Sequence, residues 1–394
     1  MSAVRPTLAS VYTLHNRTQL LQGGRPYFDQ LLQLLETARH TIHIQLYIFD
    51  ADQTGREVAT ALKRAALRGV QVYLLLDGYA SQHLPQEFIN ELKDAGVQHR
   101  WFEPLFRGKT YYFGRRLHHK VVVADAAAAL VGGINISNRY NDLPEAPAWL
   151  DWAVFVEGEA ALQLDSVCAR IWNKSAFRLS LFLKPAFVAK QITVEEACYV
   201  RVRRNDWVNR RIEISRSYLE MLRRAKEEII IMSSYFLPGR IIRTALQGTI
   251  RRGVRIRVII AGLSDVKLAK AAERYWYPWL LRQGIQLYEY QPRVLHGKMS
   301  VYDNKWVTVG SYNVNNISAY ASLELNLDVL NPAFGREAQE RLHKIIETEC
   351  IEITAERFEH SKGILTSLFY WFSYEFYRFM VFLFTFYFRQ RKKE

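Results

Sequence analysis

Hydrophobic and polar positions follow the same order in the two halves of this chain. Residues 58–78 read VATALKRAALRGVQVYLLLDG, and residues 242–262 read IRTALQGTIRRGVRIRVIIAG. Each stretch begins with apolar residues at helical spacing, turns at Gly69 or Gly253, and then enters a strand. The strand cores are almost continuously apolar, which is typical of a sheet with helices on both faces.

Each repeated stretch belongs to a longer repeated unit. Further strands are predicted before them, at 41–49 (TIHIQLYIF) and 228–237 (EIIIMSSYFL). After each stretch comes a helix ended by Gly96 or Gly284, followed by a short strand. The unit has about 160 residues, which is far longer than a solenoid repeat and indicates two tandem α/β domains.

Domain boundaries follow from this duplication. The first domain is expected at 1–175 and the second at 201–355, with a linker at 176–200 and a tail at 356–394. The linker contains the apolar segment FRLSLFLKPAF at 177–187. This segment either lies on a membrane or covers the interface between the domains.

The tail is unusually aromatic. Thirteen of the twenty residues from 369 to 388 are Phe, Tyr or Trp, and Glu375 and Arg378 leave an uninterrupted run of only ten residues, 379–388, within this stretch. A membrane-spanning helix needs about 20 apolar residues. Aromatic side chains and the basic end at 389–393 favour an interfacial membrane anchor. The alternatives are a helix packed on the body or on a second subunit, and a true span with a Glu375–Arg378 pair.

Composition limits the class of protein. Of 394 residues, 49% are hydrophobic and 23% are charged, which excludes a disordered or collagen-like chain. The net charge of +14 predicts an anionic partner, either nucleic acid or an acidic membrane. No signal-peptide pattern is present at the N-terminus. The three isolated cysteines indicate neither a disulfide framework nor a zinc site, and they favour a reducing compartment.

Both halves carry the same motif, His-x-Lys-x₄-Asp-x₆-Gly-(Gly/Ser)-x-Asn. It consists of His118, Lys120, Asp125, Gly132, Gly133 and Asn135 in the first half, and His296, Lys298, Asp303, Gly310, Ser311 and Asn313 in the second. Residues two apart on a strand share a face, so each histidine is expected beside its lysine. The glycines end the return strand, where a backbone without a Cβ can approach a ligand closely.

This combination suits the chemistry of a phosphodiester. Lysine ammonium groups and asparagine amides can neutralise and hold the phosphoryl oxygens. A neutral histidine can attack phosphorus, and a second, protonated histidine can give its proton to the leaving alkoxide. A His-x-Lys pair alone is a weak signal, but the full motif in duplicate is specific.

The duplicated motif resembles that of the phospholipase D superfamily over residues 20–350. The phrases LHHKVVVADAAAALVGGINIS (117–137), YFLPG (235–239) and LHGKMSVYDNKWVTVGSYNVN (295–315) look like bacterial cardiolipin synthases of the B-type branch. This resemblance implies two α/β/α sandwich lobes related by pseudo-twofold symmetry, whose two motifs meet in one cleft. It also implies a phosphohistidine intermediate without a metal or other cofactor.

The resemblance also implies roles for individual residues. One of His118 and His296 is the nucleophile and the other the general acid and then base, with His118 preferred as the nucleophile. Phosphoryl oxygens would be held by Lys120, Lys298, Asn135 and Asn313, with Gly133 and Ser311 also contacting substrate. A carboxylate that follows each histidine in the chain would orient it, and Asp151 and Glu324 fit this position. Asp125 and Asp303 are expected to brace the fold.

Three nearby residues are expected to stay outside the chemistry. Many relatives have Glu where this chain has Gln45, so no charged partner is expected on that strand. His119 and His43 have no motif partner at a suitable spacing, and both are expected to be structural.

The expected reaction is phosphatidyl transfer at a membrane, with phosphatidylglycerol as the donor and as the expected acceptor. The alternatives are a phospholipase D that uses water, a phosphodiesterase acting on nucleic acid, and a membrane scaffold with a relict site. The aromatic tail disfavours nucleic acid as the substrate. We expect a peripheral protein on the cytoplasmic face of the membrane, and the sequence sets neither the acceptor alcohol nor the oligomeric state.

Overall fold

The computed structural model describes residues 12–104, 115–173, 192–193, 196–360 and 363–390. It has two α/β lobes, each built on one twisted mixed sheet, and a long C-terminal helix. The apolar segment 177–187 lies outside the described residues.

The first lobe contains a seven-stranded sheet in the order β1-β8-β7-β6-β2-β3-β4. The strands of this half are β1 (Asn16–Gln22), β2 (Thr41–Leu46), β3 (Gln71–Asp77), β4 (Gln98–Phe102), β5 (Arg116–Leu117), β6 (Lys120–Ala124), β7 (Ala128–Gly132) and β8 (Trp152–Gly158). The helices are α1 (Arg25–Thr37), α2 (Gln53–Leu67), α3 (Gln86–Asp94) and α4 (Glu159–Asn173). Strands β2, β3 and β4 are parallel, whereas β6 pairs antiparallel with β2.

The second lobe repeats this arrangement in the order β10-β9-β16-β15-β14-β11-β12-β13-β17. Its strands are β9 (Tyr199–Asp206), β10 (Arg211–Ile212), β11 (Glu228–Ser233), β12 (Arg255–Leu263), β13 (Gln286–Val294), β14 (Lys298–Tyr302), β15 (Trp306–Gly310), β16 (Ser322–Leu330) and β17 (Cys350–Ile353). Its helices are α5 (Glu213–Arg224), α6 (Arg240–Arg251), α7 (Lys267–Arg274), α8 (Tyr277–Arg282), α9 (Asn316–Tyr320), α10 (Pro332–Glu349) and α11 (Ala355–His360).

The duplication read from the sequence is confirmed strand by strand. The trio β2, β3 and β4 corresponds to β11, β12 and β13, and the antiparallel trio β6, β7 and β8 corresponds to β14, β15 and β16. Gly69 and Gly253 have positive φ angles of 90° and 82° after their helices, which a side chain would disfavour. The second sheet begins at Tyr199, two residues before the predicted boundary at 201.

A single apolar core joins the two lobes. Val121 and Val123 of β6 belong to the same buried cluster as Met299 and Val301 of β14. Helices α4 and α10 contribute to this cluster, while α1, α2 and α3 cover the outer face of the first sheet. Because the shared core fixes one lobe against the other, the strand ends that carry the motif are held in a constant relation.

The aromatic tail forms one helix, α12 (Ile364–Gln390), that packs on the second lobe. The Tyr374 ring stacks on Tyr275 with centroids 4.7 Å apart, and the Tyr377 hydroxyl accepts a hydrogen bond of 3.0 Å from the Asn316 N–H. Ser373 is fully buried on the same face. The packed-helix interpretation is therefore confirmed for this face.

The opposite face of α12 is apolar and exposed. Its exposed large side chains are Ile364, Leu365, Leu368, Phe369, Trp371, Phe372, Phe376, Phe379, Phe382 and Leu383. Helices in the described part of the chain are too short or too polar to cross a bilayer. The basic residues 391–393 lie outside the described residues.

Candidate active site

Just before each motif, the backbone of one lobe pairs with the backbone of the other lobe. Strand β5, which directly precedes His118, pairs in parallel with the start of β16 in the other lobe. The His118 N–H donates to the Leu323 carbonyl at 3.0 Å, and the His296 N–H donates to the Leu150 carbonyl at 2.8 Å. Each histidine is therefore anchored to the opposite lobe, one residue before that lobe's carboxylate.

These backbone bonds between the lobes bring each histidine next to a carboxylate from the other half of the chain. His118 Nδ1 lies 2.8 Å from Glu324 Oε2, and His296 Nδ1 lies 2.6 Å from Asp151 Oδ2. The expectation that each carboxylate orients the histidine of its own half is therefore wrong. The cause is the pairing of β5 with β16 and of Leu150 with Leu295, since backbone bonds across the interface set which side chains meet.

Both motif lysines are buried next to their histidines. Lys120 and Lys298 are 2% and 1% exposed, and their ammonium groups donate to His118 O and Ser234 Oγ at 3.1 and 3.2 Å. Neither lysine has a salt bridge to a carboxylate within the described residues. Burial lowers the pKa of Lys120 to about 7 and also lowers the pKa of Lys298. An anion in the site would supply the missing countercharge.

Burial also changes the proton affinity of the histidines. It lowers the pKa of His118, although the Glu324 carboxylate opposes this shift. Burial and the charges of both lysines hold the pKa of His296 well below its usual range. Burial raises the pKa of Asp151 to about 7. Because Asp151 and His296 share a hydrogen bond, this pair keeps one exchangeable proton near neutral pH, whereas His118 is neutral there.

The two motif asparagines lie beside the histidines and are nearly buried. Asn135 accepts a hydrogen bond of 3.1 Å from the Ile48 N–H and donates one of 2.9 Å to the Tyr140 hydroxyl. One of its two amide hydrogens therefore remains for a ligand. The Ser233 hydroxyl donates to Asn313 Oδ1 at 3.5 Å.

Gly133 and Ser311 both lie against the carboxylates, and their contact with substrate stays a prediction. A Cβ on Gly133 would lie 2.2 Å from Asp151 Oδ1, so a side chain there would displace the carboxylate. The Ser311 hydroxyl donates to Glu324 Oε2 at 2.5 Å and accepts from the Leu325 N–H at 3.0 Å. Like the two motif lysines, neither residue lines the cavity described next.

Both histidines face one cavity of about 910 Å³ between the lobes. At this end its lining includes Tyr47, His118, Asn135, Tyr140, Trp149, Tyr235, His296, Asn313 and Glu324. The Tyr47 ring meets His118 edge-on at 4.9 Å, and the Tyr140 ring meets His296 in the same way at 5.2 Å. These aromatic residues were not predicted from the sequence. Tyr47 follows β2 and Tyr235 follows the corresponding strand β11, so the duplication was a signal that could have found them.

Asp125 and Asp303 lie at the far ends of the motif strands, away from the cavity. The Asp303 carboxylate accepts hydrogen bonds of 2.9, 2.9 and 3.0 Å from the N–H groups of Lys226, Glu227 and Glu228. Asp125 accepts three equivalent bonds from residues 39–41. Both have positive φ angles, 54° and 48°, which Asp tolerates better than most residues. These contacts support a bracing role.

Replacing Asp303 with alanine is expected to lower the free energy of unfolding by about 2–4 kcal/mol, because three backbone donors lose a charged acceptor. Chemical denaturation measures this change. Asp94→Ala, at an exposed position, is the control and should shift stability by less than about 0.5 kcal/mol. Equal stability of the two variants would contradict the bracing role of Asp303.

His119 and Gln45, which were expected to stay outside the chemistry, contact each other. His119 Nδ1 lies 3.1 Å from Gln45 Oε1, and the Gln45 amide donates to the Cys168 carbonyl at 3.0 Å. Burial lowers the pKa of His119 to about 3 and that of His43 to about 4. Both imidazoles are therefore neutral at physiological pH and lie within the packed interior.

Both halves of the chain match a known protein family. Residues 31–172 and 218–348 match a family described as "Cardiolipin synthase, PLD-like domain". The chain is 35% identical over 350 residues to cardiolipin synthase B of Shigella flexneri and to that of Escherichia coli (strain K12), covering 86% of this chain and 82% of each relative. It is 28% identical over 357 residues to cardiolipin synthase 1 of Bacillus anthracis, covering 88% of this chain and 67% of the relative.

Solved structures share the fold at low sequence identity. Phosphatidylserine synthase of Haemophilus influenzae Rd KW20 superposes with a TM-score of 0.70 and 15% identity, covering 92% of this chain and 93% of the other. Polyphosphate kinase of Porphyromonas gingivalis gives a TM-score of 0.58 at 15% identity, covering 86% and 49%. With the match to both halves and the 35% identity over most of the length, the chain belongs to the cardiolipin synthase family of duplicated phospholipase D-like proteins.

Proposed function

We propose that this protein makes cardiolipin by moving a phosphatidyl group from one phosphatidylglycerol to another through a phosphohistidine. The observation that carries the proposal is the pair of cross-lobe histidine–carboxylate contacts, which face a single cavity. Two histidines that face the same phosphorus atom suit a reaction of two successive displacements. The names of the curated relatives agree with this activity.

In the first displacement, His118 attacks the phosphorus of the donor lipid and forms a nitrogen–phosphorus bond. The bond from phosphorus to the glycerol oxygen breaks, and the His296–Asp151 pair gives its proton to that oxygen. Lys120 and Lys298 neutralise the phosphoryl oxygens, assisted by the amides of Asn135 and Asn313. We assign His118 as the nucleophile, because its lowered pKa leaves the imidazole neutral, and His296, hydrogen-bonded to Asp151, as the proton donor.

In the second displacement, the glycerol hydroxyl of another phosphatidylglycerol attacks the phosphohistidine. The His296–Asp151 pair takes the hydroxyl proton, the nitrogen–phosphorus bond breaks, and His118 returns to its starting state. Two in-line displacements give net retention of configuration at phosphorus. Transfer exceeds hydrolysis when the acceptor is held at the site at a high effective concentration.

Lipid products decide between transfer and its main alternative. Pure protein incubated with vesicles of phosphatidylglycerol should give cardiolipin and free glycerol in equal amounts, measured by mass spectrometry. Phosphatidic acid without cardiolipin would show that water is the acceptor and overturn the proposal. Vesicles that also contain phosphatidylethanolamine test whether a second alcohol is accepted.

Transfer is expected to slow as pH rises through about 7. The Asp151–His296 pair loses its proton there, and Lys120, whose pKa is lowered to about 7, loses its charge. On the acid side the rate should fall only below pH 6.5, because the pKa of the nucleophile His118 is lowered from that value. A pH profile of kcat/KM, which reports the titrating groups of the free enzyme, checks both limits. A rate that stays constant from about pH 7 to 9 would contradict this assignment of the general acid.

We also propose that the exposed face of α12 binds the membrane surface, as a peripheral attachment on the cytoplasmic side. Its apolar and aromatic side chains suit the interfacial layer of a bilayer. The net charge of +14 favours anionic lipid.

Exchanging Phe369, Phe372 and Phe376 for serine is expected to weaken vesicle binding by at least about 10²-fold, since each buried phenyl ring contributes about 1.5–3 kcal/mol. The three side chains are 53%, 60% and 41% exposed, so the fold should persist. Flotation with phosphatidylglycerol vesicles measures the binding. Leu67→Ser, at a position 76% exposed on the first lobe, is the control. Unchanged binding of the triple variant would exclude this face as the attachment.

A further inference from the structure

The catalytic cavity continues from the histidines into an apolar compartment. This part is lined by Leu237, Val266, Ala269, Ile317, Tyr377, Met380 and Leu383. Residues of α7, α9 and α12 contribute to its walls, and α7 packs directly against α12. One helix therefore contributes to the inside of the cavity and to the apolar outer surface.

The compartment opens where the two helices reach the surface. Leu383 of α12 is 47% exposed and Val266, next to the start of α7, is 46% exposed, yet both line the cavity. Deeper inside, Tyr377 is only 9% exposed. The apolar lining is thus continuous from the interior to the exposed face of α12.

Polar groups at this end are used within the protein. Asn315 accepts a hydrogen bond of 2.8 Å from the Ser318 N–H, and the Tyr235 hydroxyl donates to the Asp265 carboxylate. The Tyr377 hydroxyl accepts the Asn316 N–H at 3.0 Å. A ligand in this compartment would therefore contact mainly hydrocarbon, which suits an apolar group and not a polar head group.

We infer that this compartment is a binding site for the acyl chains of the phosphatidyl donor, and that lipid enters it from the bilayer past the exposed side chains of Val266 and Leu383. The inference rests on the proposed function and adds where the hydrocarbon of the substrate lies. A diacyl lipid whose phosphorus reaches the histidines must place its chains in water or against apolar protein. The compartment supplies the apolar surface and joins it to the helix face proposed to rest on the membrane.

The site makes chain length a determinant of turnover even without a membrane. Diacyl phosphatidylglycerols with chains of four to eight carbons, used as dissolved monomers, remove the contribution of vesicle binding. Each methylene that enters the compartment should raise kcat/KM by up to about fourfold, which corresponds to about 0.8 kcal/mol of transfer free energy. Release of glycerol is the measured quantity.

Met380→Trp tests the site by filling the compartment from the α12 wall. The variant should lose most of the gain in kcat/KM between the four-carbon and the eight-carbon substrate, so that the ratio of the two values falls at least about tenfold. Phe379→Trp adds similar bulk to the outer face of the same helix, at a position 54% exposed, and should keep the natural dependence on chain length. If Met380→Trp does not fold, Ala269→Leu fills the site from α7.

The outcomes separate this inference from the function on which it rests. The acyl-chain site is supported when the cavity variants lose the dependence on chain length and Phe379→Trp keeps it. Cavity variants with the natural chain-length dependence overturn the site but leave phosphatidyl transfer intact. Natural protein that releases no glycerol from any of these lipids overturns the proposed function, and the acyl-chain site with it.

Discussion

Replacing His118 or His296 with alanine is expected to lower phosphatidyl transfer by at least about 10⁴-fold while the protein stays folded. One imidazole forms the bond to phosphorus, and the other gives a proton to the leaving oxygen. Surrounding groups cannot perform either step when the imidazole is lost. The double variant should be little worse than either single one, because the residues act as a unit. Mass spectrometry of cardiolipin formed from phosphatidylglycerol vesicles measures the loss.

Two further measurements make this expectation specific. When the reaction is quenched without acid and the protein is digested, the natural protein should give a phosphorylated peptide that contains residue 118. This phosphorylated peptide should be absent from His118→Ala. His83→Ala, which removes an exposed imidazole, is the control and should keep full activity. A histidine variant that retains more than about one tenth of the activity would exclude that residue from its assigned step.

The duplicated motif was sufficient to predict most of the architecture. Val121 and Val123 alternate with Val122 as a buried strand requires, and Gly96 and Gly284 end their helices with positive φ angles of 96° and 82°. These features depend on local chain geometry, which the sequence specifies within a few residues. The correspondence between the strands of the two halves was predicted because each half repeats the same pattern.

The contacts between the halves could not be predicted from local sequence patterns. Pairing of His118 with Glu324 joins residues 206 positions apart, and it depends on a backbone bond to Leu323 across the interface. Sequence order placed Glu324 after His296, which suggested the wrong partner. Similarly, α12 was predicted as a separate tail, but Tyr377 and Met380 line the cavity. Neither contact leaves a periodic signal in the chain.

Asp151 and Glu324 each contact the histidine of the other half, and their separate roles can be tested with a substrate that has a good leaving group. Glu324→Gln and Asp151→Asn are each expected to slow transfer from phosphatidylglycerol by about 10²- to 10⁴-fold, because an amide no longer stabilises the charged or attacking imidazole. Both changes conserve shape. The steady-state rate alone therefore does not show which histidine each carboxylate serves.

Phosphatidyl-p-nitrophenol separates the two roles, because p-nitrophenolate leaves without a proton from the enzyme. Asp151 holds the acid His296, so Asp151→Asn should recover a nearly natural burst of p-nitrophenolate in a single turnover. Glu324 holds the nucleophile His118, so Glu324→Gln should remain slow with the same substrate. Rescue of Glu324→Gln with no rescue of Asp151→Asn would reverse the assignment of nucleophile and acid. Equal rescue of both variants would contradict separate roles for the two histidines, and with them the stepwise displacement that the crossed pairs are proposed to perform.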